Sequence, residues 1–338
     1  MKNIIKVILV IIGATIGAGF ASGREIFIFF NQYGTKGIYG IILSSILTGF
    51  IIYKVNKICT NSNIKTYDDF LNNIVGRKTR IINYIINIFL LASFYIMIAG
   101  FSAYLKQQFS IPNIIGIFII CSICYITLKN NVQGIINANT ILVPFIILVI
   151  FFLGFINIGN ISNLDIYQTN YNGNWVLSAI LYSSYNSIML IPILVSLKGL
   201  TDTKVKNLLI SISCTLILIL LALIIYFLLF MMEIDISNVE MPVVYVASML
   251  GNTYKYIYGI SVLMSIYTTA IAGGYGFLEN SAKTKKGYSY LTIFICTSSI
   301  IISRFGFANL VNLLYPIFGF LGIAQIFFIL KNNKNIAN

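Results

Sequence analysis

Residues 11–25 read Ile11-Ile12-Gly13-Ala14-Thr15-Ile16-Gly17-Ala18-Gly19-Phe20-Ala21-Ser22-Gly23-Arg24-Glu25, four glycines set inside the first membrane-length apolar run of the chain. Glycine keeps the most backbone freedom and is a poor helix former. Gly13, Gly17, Gly19 and Gly23 therefore mark the least helix-stable stretch of that run. In hydrocarbon an opened backbone is tolerated only where it faces protein or a watery cavity. A broken first helix at mid-membrane is a pointer to the substrate site of a secondary transporter. The spacing of Gly13 with Gly17, and of Gly19 with Gly23, also suits close helix packing through small residues.

The rest of the chain fits a membrane setting. Of 338 residues, 58% are hydrophobic and only 9% are charged, which excludes an ordinary soluble domain. Ten apolar runs of about spanning length are visible, at 4–31, 37–57, 81–106, 111–128, 134–157, 175–197, 206–232, 254–279, 287–303 and 305–330. These predict an all-α integral membrane protein of about ten transmembrane helices, with 1–338 as a single unit. Secretory-signal features at the N-terminus (Lys2, Lys6, an apolar stretch, small residues near Ala21) are outweighed by the apolar sequence that resumes at Ile26.

The net charge of +13 is topological rather than a nucleic-acid footprint. With the N-terminus placed in the cytoplasm and the runs alternating sides, 17 of the 22 Lys and Arg fall inside. Only Arg24, Lys36, Lys106, Lys255 and Arg304 fall outside. This is the positive-inside pattern, and it places both termini in the cytoplasm. The five cysteines sit in or beside apolar runs. Cys121 and Cys124 have metal-like spacing, but no second pair is suitably placed and the chain has no histidine, so they read as packing residues. No hydrolase triad, phosphate loop or metal-ligand cluster is present. An enzyme reading has no support, and no cofactor is expected.

Ten runs divide into five and five, 1–157 and 175–330. Because five is odd, the second half enters the membrane from the opposite side, so any internal repeat is inverted. The sixth run carries Tyr182-Ser183-Ser184-Tyr185-Asn186-Ser187 with Pro192 beyond, which predicts a second break at the position matching the first. Two connections look ordered. Thr66 with Asp69 fits a capping box ahead of a short apolar stripe, and Pro242 and Gly251 bracket a short helix or an extension of the eighth run.

Candidate site residues follow from the breaks. Freed N–H groups at Gly17, Ala18 and Gly19 would attract a carboxylate, and freed carbonyls near Gly13 and Ile16 would attract a cation. Opposite them, Ser183, Ser184, Tyr185 and Asn186 on the sixth run would complete a substrate site, with Tyr95 on the third run as a further candidate lining residue. In the eighth run Ser265, Thr268 and Thr269 share one side of a helix and could hold a monovalent cation with neutral oxygens. The alternative is that these hydroxyls bond back to carbonyls one turn earlier. Arg24 and Glu25 suit a gate near the outer mouth, and Glu25 alone would suit a proton relay. The fifth run has no charged residue.

The run Gly13 to Glu25 resembles the opening helix of the YkvI-like bacterial membrane proteins. These are relatives of the amino acid–polyamine–organocation superfamily, whose fold is that of the leucine transporter. The resemblance implies two inverted five-helix repeats, broken first and sixth helices, and a central site for a small zwitterionic or amine solute in the bacterial plasma membrane. In sodium-coupled members of that fold one ion lies between the first and eighth helices. By that pattern Gly13 and Ile16 would give carbonyls, Thr268 and Thr269 hydroxyls, and Ser265 its carbonyl. Phe20 stands where a second sodium would need a polar ligand, so only one is expected. The function implied is a sodium-coupled transporter of a small amino-acid-like solute working by alternating access. Its alternatives are a proton-coupled or uncoupled permease and a germinant-type receptor of the same fold.

Overall fold

The glycine-rich first segment folds as three short helices rather than one. In the computed structural model, which describes residues 2–62, 64, 66–76, 79–159, 171, 173–201, 203–230, 239, 241–282, 284–302 and 307–331, α1 (Lys2–Thr15) stops at mid-segment. It is followed by α2 (Ala18–Ser22) and α3 (Arg24–Phe29). Gly17 adopts an extended backbone, φ −87° and ψ −169°, and Gly23 is left-handed at φ +87°. A side chain at Gly23 would be strained, and a Cβ there would also lie 2.7 Å from Val243 Cγ2. The predicted break is therefore present, with a second turn one short helix later.

Each remaining apolar run has a helix. In order these are α4 (Lys36–Asn61), α6 (Thr79–Phe109), α7 (Asn113–Leu128), α8 (Asn131–Ile156), α9 (Trp175–Ser196), α10 (Lys204–Phe230), α12 (Asn252–Ser281), α13 (Lys285–Ile302) and α14 (Phe307–Lys331). All regular elements among the described residues are helical. Among the described residues six helices are both long and apolar enough to cross a membrane: α4, α6 from Ile82, α8, α9, α10 and α12. Shorter apolar helices cover Asn3–Thr15, Asn113–Leu128 and Ile317–Ile329.

The two ordered connections form as expected. α5 (Tyr67–Val75) starts with a complete capping box: Asp69 N–H donates to Thr66 Oγ1 at 3.2 Å, and Thr66 N–H donates to Asp69 Oδ2 at 2.9 Å. Tyr67 then docks α5 on α14, its hydroxyl accepting from Gln325 Nε2 at 3.0 Å. Burial pushes the Tyr67 hydroxyl well above its ordinary pKa, so it acts as a neutral group. α11 (Pro242–Met249) is separate from α12, because Gly251 turns the chain at φ +122°. The acidic residues Glu233, Asp235 and Glu240, and the loop cations Lys65, Arg77, Lys78, Lys283 and Arg304, lie outside the described residues.

The predicted break in the sixth segment does not form. α9 runs unbroken from Trp175 to Ser196 with Pro192 inside it. The polar side chains bond back within the helix instead of opening it. Asn186 Nδ2 donates to the Tyr182 carbonyl at 2.9 Å, Ser187 Oγ to the Ser183 carbonyl at 2.6 Å, and Ser196 Oγ to the Pro192 carbonyl at 3.0 Å. Such back-bonding adds to an intact ladder, so polarity alone does not break a helix.

At the centre, α1 packs against α8, α9, α10 and α12. α12 also packs on α6, and α9 on α4 and α14. α7 and α13 pair with one another.

Candidate functional site at the break in the first segment

Breaking a helix frees carbonyl groups that an apolar surround cannot hydrate. Three of them are met by side chains from other helices. In an unbroken α1 the Gly17 N–H would bond to Gly13; it donates instead to the Thr15 carbonyl at 3.0 Å. The Gly13 carbonyl faces Thr269 Oγ1 on α12 at 3.4 Å. The Ala21 carbonyl, released by the turn at Gly23, accepts from Tyr258 Oη of α12 at 2.6 Å. The Phe29 carbonyl at the end of α3 accepts from Ser178 Oγ of α9 at 2.8 Å. The interrupted segment is thus stitched to the two helices expected to face it.

The Gly13 corner is the most chemically open part of this arrangement. The Thr269–Gly13 bond is near the long limit for a hydroxyl donor. A Cβ at Gly17 would lie 3.0 Å from Thr269 Oγ1, so the two helices approach closely there. A Cβ at Gly13 would overlap Asn139 Oδ1 and lie 2.6 Å from Val143 Cγ2, both on α8. Asn139 is fully buried; its Nδ2 donates to the Ile135 carbonyl at 2.9 Å, while Oδ1 has no hydrogen-bond partner. A buried acceptor without a donor is unfavourable by about 1–3 kcal/mol. Gly13 thus meets two neutral oxygens from other helices, Thr269 Oγ1 of α12 at its carbonyl and Asn139 Oδ1 of α8 at its missing Cβ, the donor type that hard cations prefer.

The other expected ion ligands are less available. Thr268 Oγ1 donates to the Ser265 carbonyl at 3.0 Å, and Ser265 Oγ donates to the Ser261 carbonyl at 2.9 Å, so both follow the back-bonding alternative. Ile16 is buried within the break itself.

The expected substrate residues are only partly brought together. Tyr182 lines a closed cavity of about 10 Å³ with Thr15, Phe20, Ser44, Ser45 and Thr48, a space for a single water. Ser183 Oγ turns towards α4, accepting from Thr48 Oγ1 at 3.1 Å. Ser184 is buried close to Gly322 of α14, and its hydroxyl has no hydrogen-bond partner. Tyr185 stacks on Phe29, ring centroids 6.2 Å apart. Asn186 is buried, with its amide bonded within α9. Gly17 turns towards α12, while Gly19, beside the buried Ala18, is pressed against the Glu25 carboxyl group. Tyr95 points elsewhere, its hydroxyl 2.6 Å from Ser298 Oγ on α13. Arg24 and Glu25 are buried, 5% and 1% exposed, and Arg24 Nη1 donates to the Val239 carbonyl at 3.0 Å, tying α3 to the strand of chain before α11.

Two groups of residues escaped the sequence reading. Asn139 sits in a run without charges, and only its contact with Gly13 marks it. Ser44, Ser45 and Thr48 on α4 form a hydroxyl cluster at i, i+1 and i+4 spacing, a signal that could have been read beside the serines of α9.

The comparisons with known proteins agree with this architecture. Two Bacillus subtilis proteins are similar to the chain: an uncharacterized membrane protein, YkvI, 27% identical over 94% of this chain and 92% of its own length, and an uncharacterized protein, YyaD, 27% identical over 94% and 93%. The resemblance carried by residues 13–25 thus extends along nearly the whole chain. No family model matches. Among solved structures, Mhp1, a nucleobase-cation-symport-1 family transporter in a closed conformation, superposes with TM-score 0.64 at 11% identity. A manganese transporter of Eremococcus coleocola gives 0.62 at 16%, and a Na+-coupled sialic acid symporter gives 0.59 at 10%. Each covers 96% of this chain and 77% of its own. The chain is an all-helical membrane protein with the fold of these secondary transporters, and none of these neighbours is an enzyme.

Proposed function

We propose that the chain is a secondary active transporter that moves a small amino-acid-like solute, zwitterionic or an amine, by alternating access coupled to sodium. The observation that carries the reading is the Gly13 corner. A broken central helix holds the Gly13 carbonyl loosely against Thr269, and the same glycine lies against an unpartnered Asn139 oxygen, all uncharged. Sodium placed there would join α1 to α8 and α12 without burying an uncompensated carboxylate. Thr268 would join the ligands by releasing the Ser265 carbonyl, and Ile16 by its own carbonyl. No lysine on α8 is available to replace the ion.

The solute would occupy the space between Gly17–Gly19 and α9, around the cavity at Thr15, Phe20 and Tyr182. That cavity is too small for any amino acid, so the structure corresponds to a closed conformation in this reading, and α4 or α9 must part from α1 to admit the solute. Arg24 and Glu25 would act at the outer gate. The membrane arrangement we propose is ten spans in two inverted halves, 1–157 and 175–330, with both termini cytoplasmic. The distribution of Lys and Arg supports it.

One observation favours a second reading. Glu25 is 1% exposed and lies against Gly19 inside the broken segment, where a carboxyl group could carry a proton instead. Proteoliposomes separate the two. Labelled amino acids and amines should accumulate against their gradient when sodium is imposed outside, and Glu25→Gln should retain that sodium dependence. Accumulation driven by a proton gradient, indifferent to sodium and lost in Glu25→Gln, would establish the proton reading. Solute binding without any accumulation would establish a receptor.

A further inference from the structure

The seam between α7 and α13 carries two adjoining hollows that the transport reading does not use. One, of about 440 Å³, opens at the end of the seam where α8 begins, and Tyr125, Lys129, Lys285 and Tyr288 are among its walls. Among the described residues that line it none is a carboxylate. Lys129 and Lys285 are exposed, with the exposed Lys286 next in sequence. The other, of about 430 Å³, is an apolar groove lined by Ile117, Phe118, Ile126, Ile293 and Ile300 together with Cys121, Ser122, Cys296 and Thr297. Tyr125 belongs to both, so the basic hollow leads directly into the apolar groove.

We propose that this seam binds one anionic phospholipid, its phosphate between Lys129 and Lys285 and an acyl chain in the groove. Charge and shape both select that occupant. Two ammonium groups with tyrosines beside them match a phosphate diester, and basic pockets between membrane helices hold anionic head groups in this way. From Ile117 to Tyr125 the groove follows eight helical steps of α7, about 12 Å at 1.5 Å per residue. That is close to one leaflet of a hydrocarbon core about 30 Å thick. Phe118 and Ile126 are 58% and 65% exposed, as a lipid-facing wall requires. A soluble anion would use the basic hollow alone and leave the groove without a role.

The test uses the full-length protein in mild detergent, read by native mass spectrometry and by thermal unfolding. The probes are dioleoylphosphatidylglycerol, dioleoylphosphatidylcholine and inorganic phosphate. We expect one phosphatidylglycerol retained per chain, roughly tenfold preferred over phosphatidylcholine and raising the unfolding temperature. K129Q/K285Q should reduce the preference to that of phosphatidylcholine. S122W, which fills the groove but spares the lysines, should weaken retention of both lipids. Circular dichroism checks that both variants keep wild-type helix content. Equal retention of the two lipids, an unshifted preference in K129Q/K285Q, or phosphate alone stabilising as much as phosphatidylglycerol would each overturn the proposal. So would a dimer that closes the seam and carries no lipid.

Discussion

The first segment, residues 2–29, and α9, residues 175–196, cross the centre of the molecule side by side, and both read as interrupted in the sequence. One breaks and the other does not. The difference lies in backbone rather than polarity. In the first segment the interruption falls at Gly17, an extended residue whose missing side chain lets Thr269 approach, and at Gly23, whose left-handed backbone favours glycine. Gly13 allows an approach to α8 that no side chain would tolerate. In α9 the serines and Asn186 have β-carbons and a simpler outlet, the carbonyl one turn earlier. Pro192 removes one donor without disturbing its neighbours enough to end the helix. Freed backbone groups, and with them any ion or solute chemistry, are therefore concentrated on the first segment. In the proposed site α9 would contribute a wall.

Substitutions can break or sharpen that contrast. The largest effect is expected at Gly13. Gly13→Leu forces a side chain into Asn139 and Val143, and should lower stability by about 3 kcal/mol and abolish solute binding. Gly13→Ala should lose less, and part of that loss should return in Gly13→Ala/Asn139→Ala, where the overlapping amide is gone. Thermal unfolding in nanodiscs measures both. Wild-type stability in Gly13→Leu would mean that α1 and α8 do not meet as described. Next in size, Gly23→Ala should destabilise by about 1–2 kcal/mol through its left-handed backbone. The smallest changes belong to α9. Ser187→Ala removes one hydrogen bond from an intact ladder and should shift stability by about 0.6 kcal/mol or less. If Ser187→Ala proved as damaging as Gly23→Ala, the two segments would not differ in the way proposed.

Much of this architecture was legible in the chain itself. The ten apolar runs correspond to helices within a few residues at most ends, because hydrophobic length is a local property. Thr66 with Asp69, and Pro242 with Gly251, were readable because caps and turns depend on residues only a few positions apart. The state of α9 was not readable. Ser183, Asn186 and Ser187 have two outlets for their polar groups, and which one wins depends on the helix around them. Asn139 was invisible for a different reason. Its side chain gains meaning only from Gly13, 126 positions away, whose missing Cβ makes room for it. The hydroxyls of α4 likewise became relevant once Thr48 was seen beside Ser183.

The central claim is that the break in α1 creates a cation site of neutral oxygens linked to solute binding. It is tested most directly by equilibrium binding of radioactive sodium to purified protein, with and without a solute that the transport screen has identified. The account predicts saturable sodium binding that solute tightens about 5–150-fold, with solute tightened equally by sodium. Thr269→Ala and Asn139→Ala should each remove most of that coupling, while Ser187→Ala leaves it intact. Undiminished coupling in both Thr269→Ala and Asn139→Ala, or solute binding indifferent to sodium and abolished by Glu25→Gln, would contradict it.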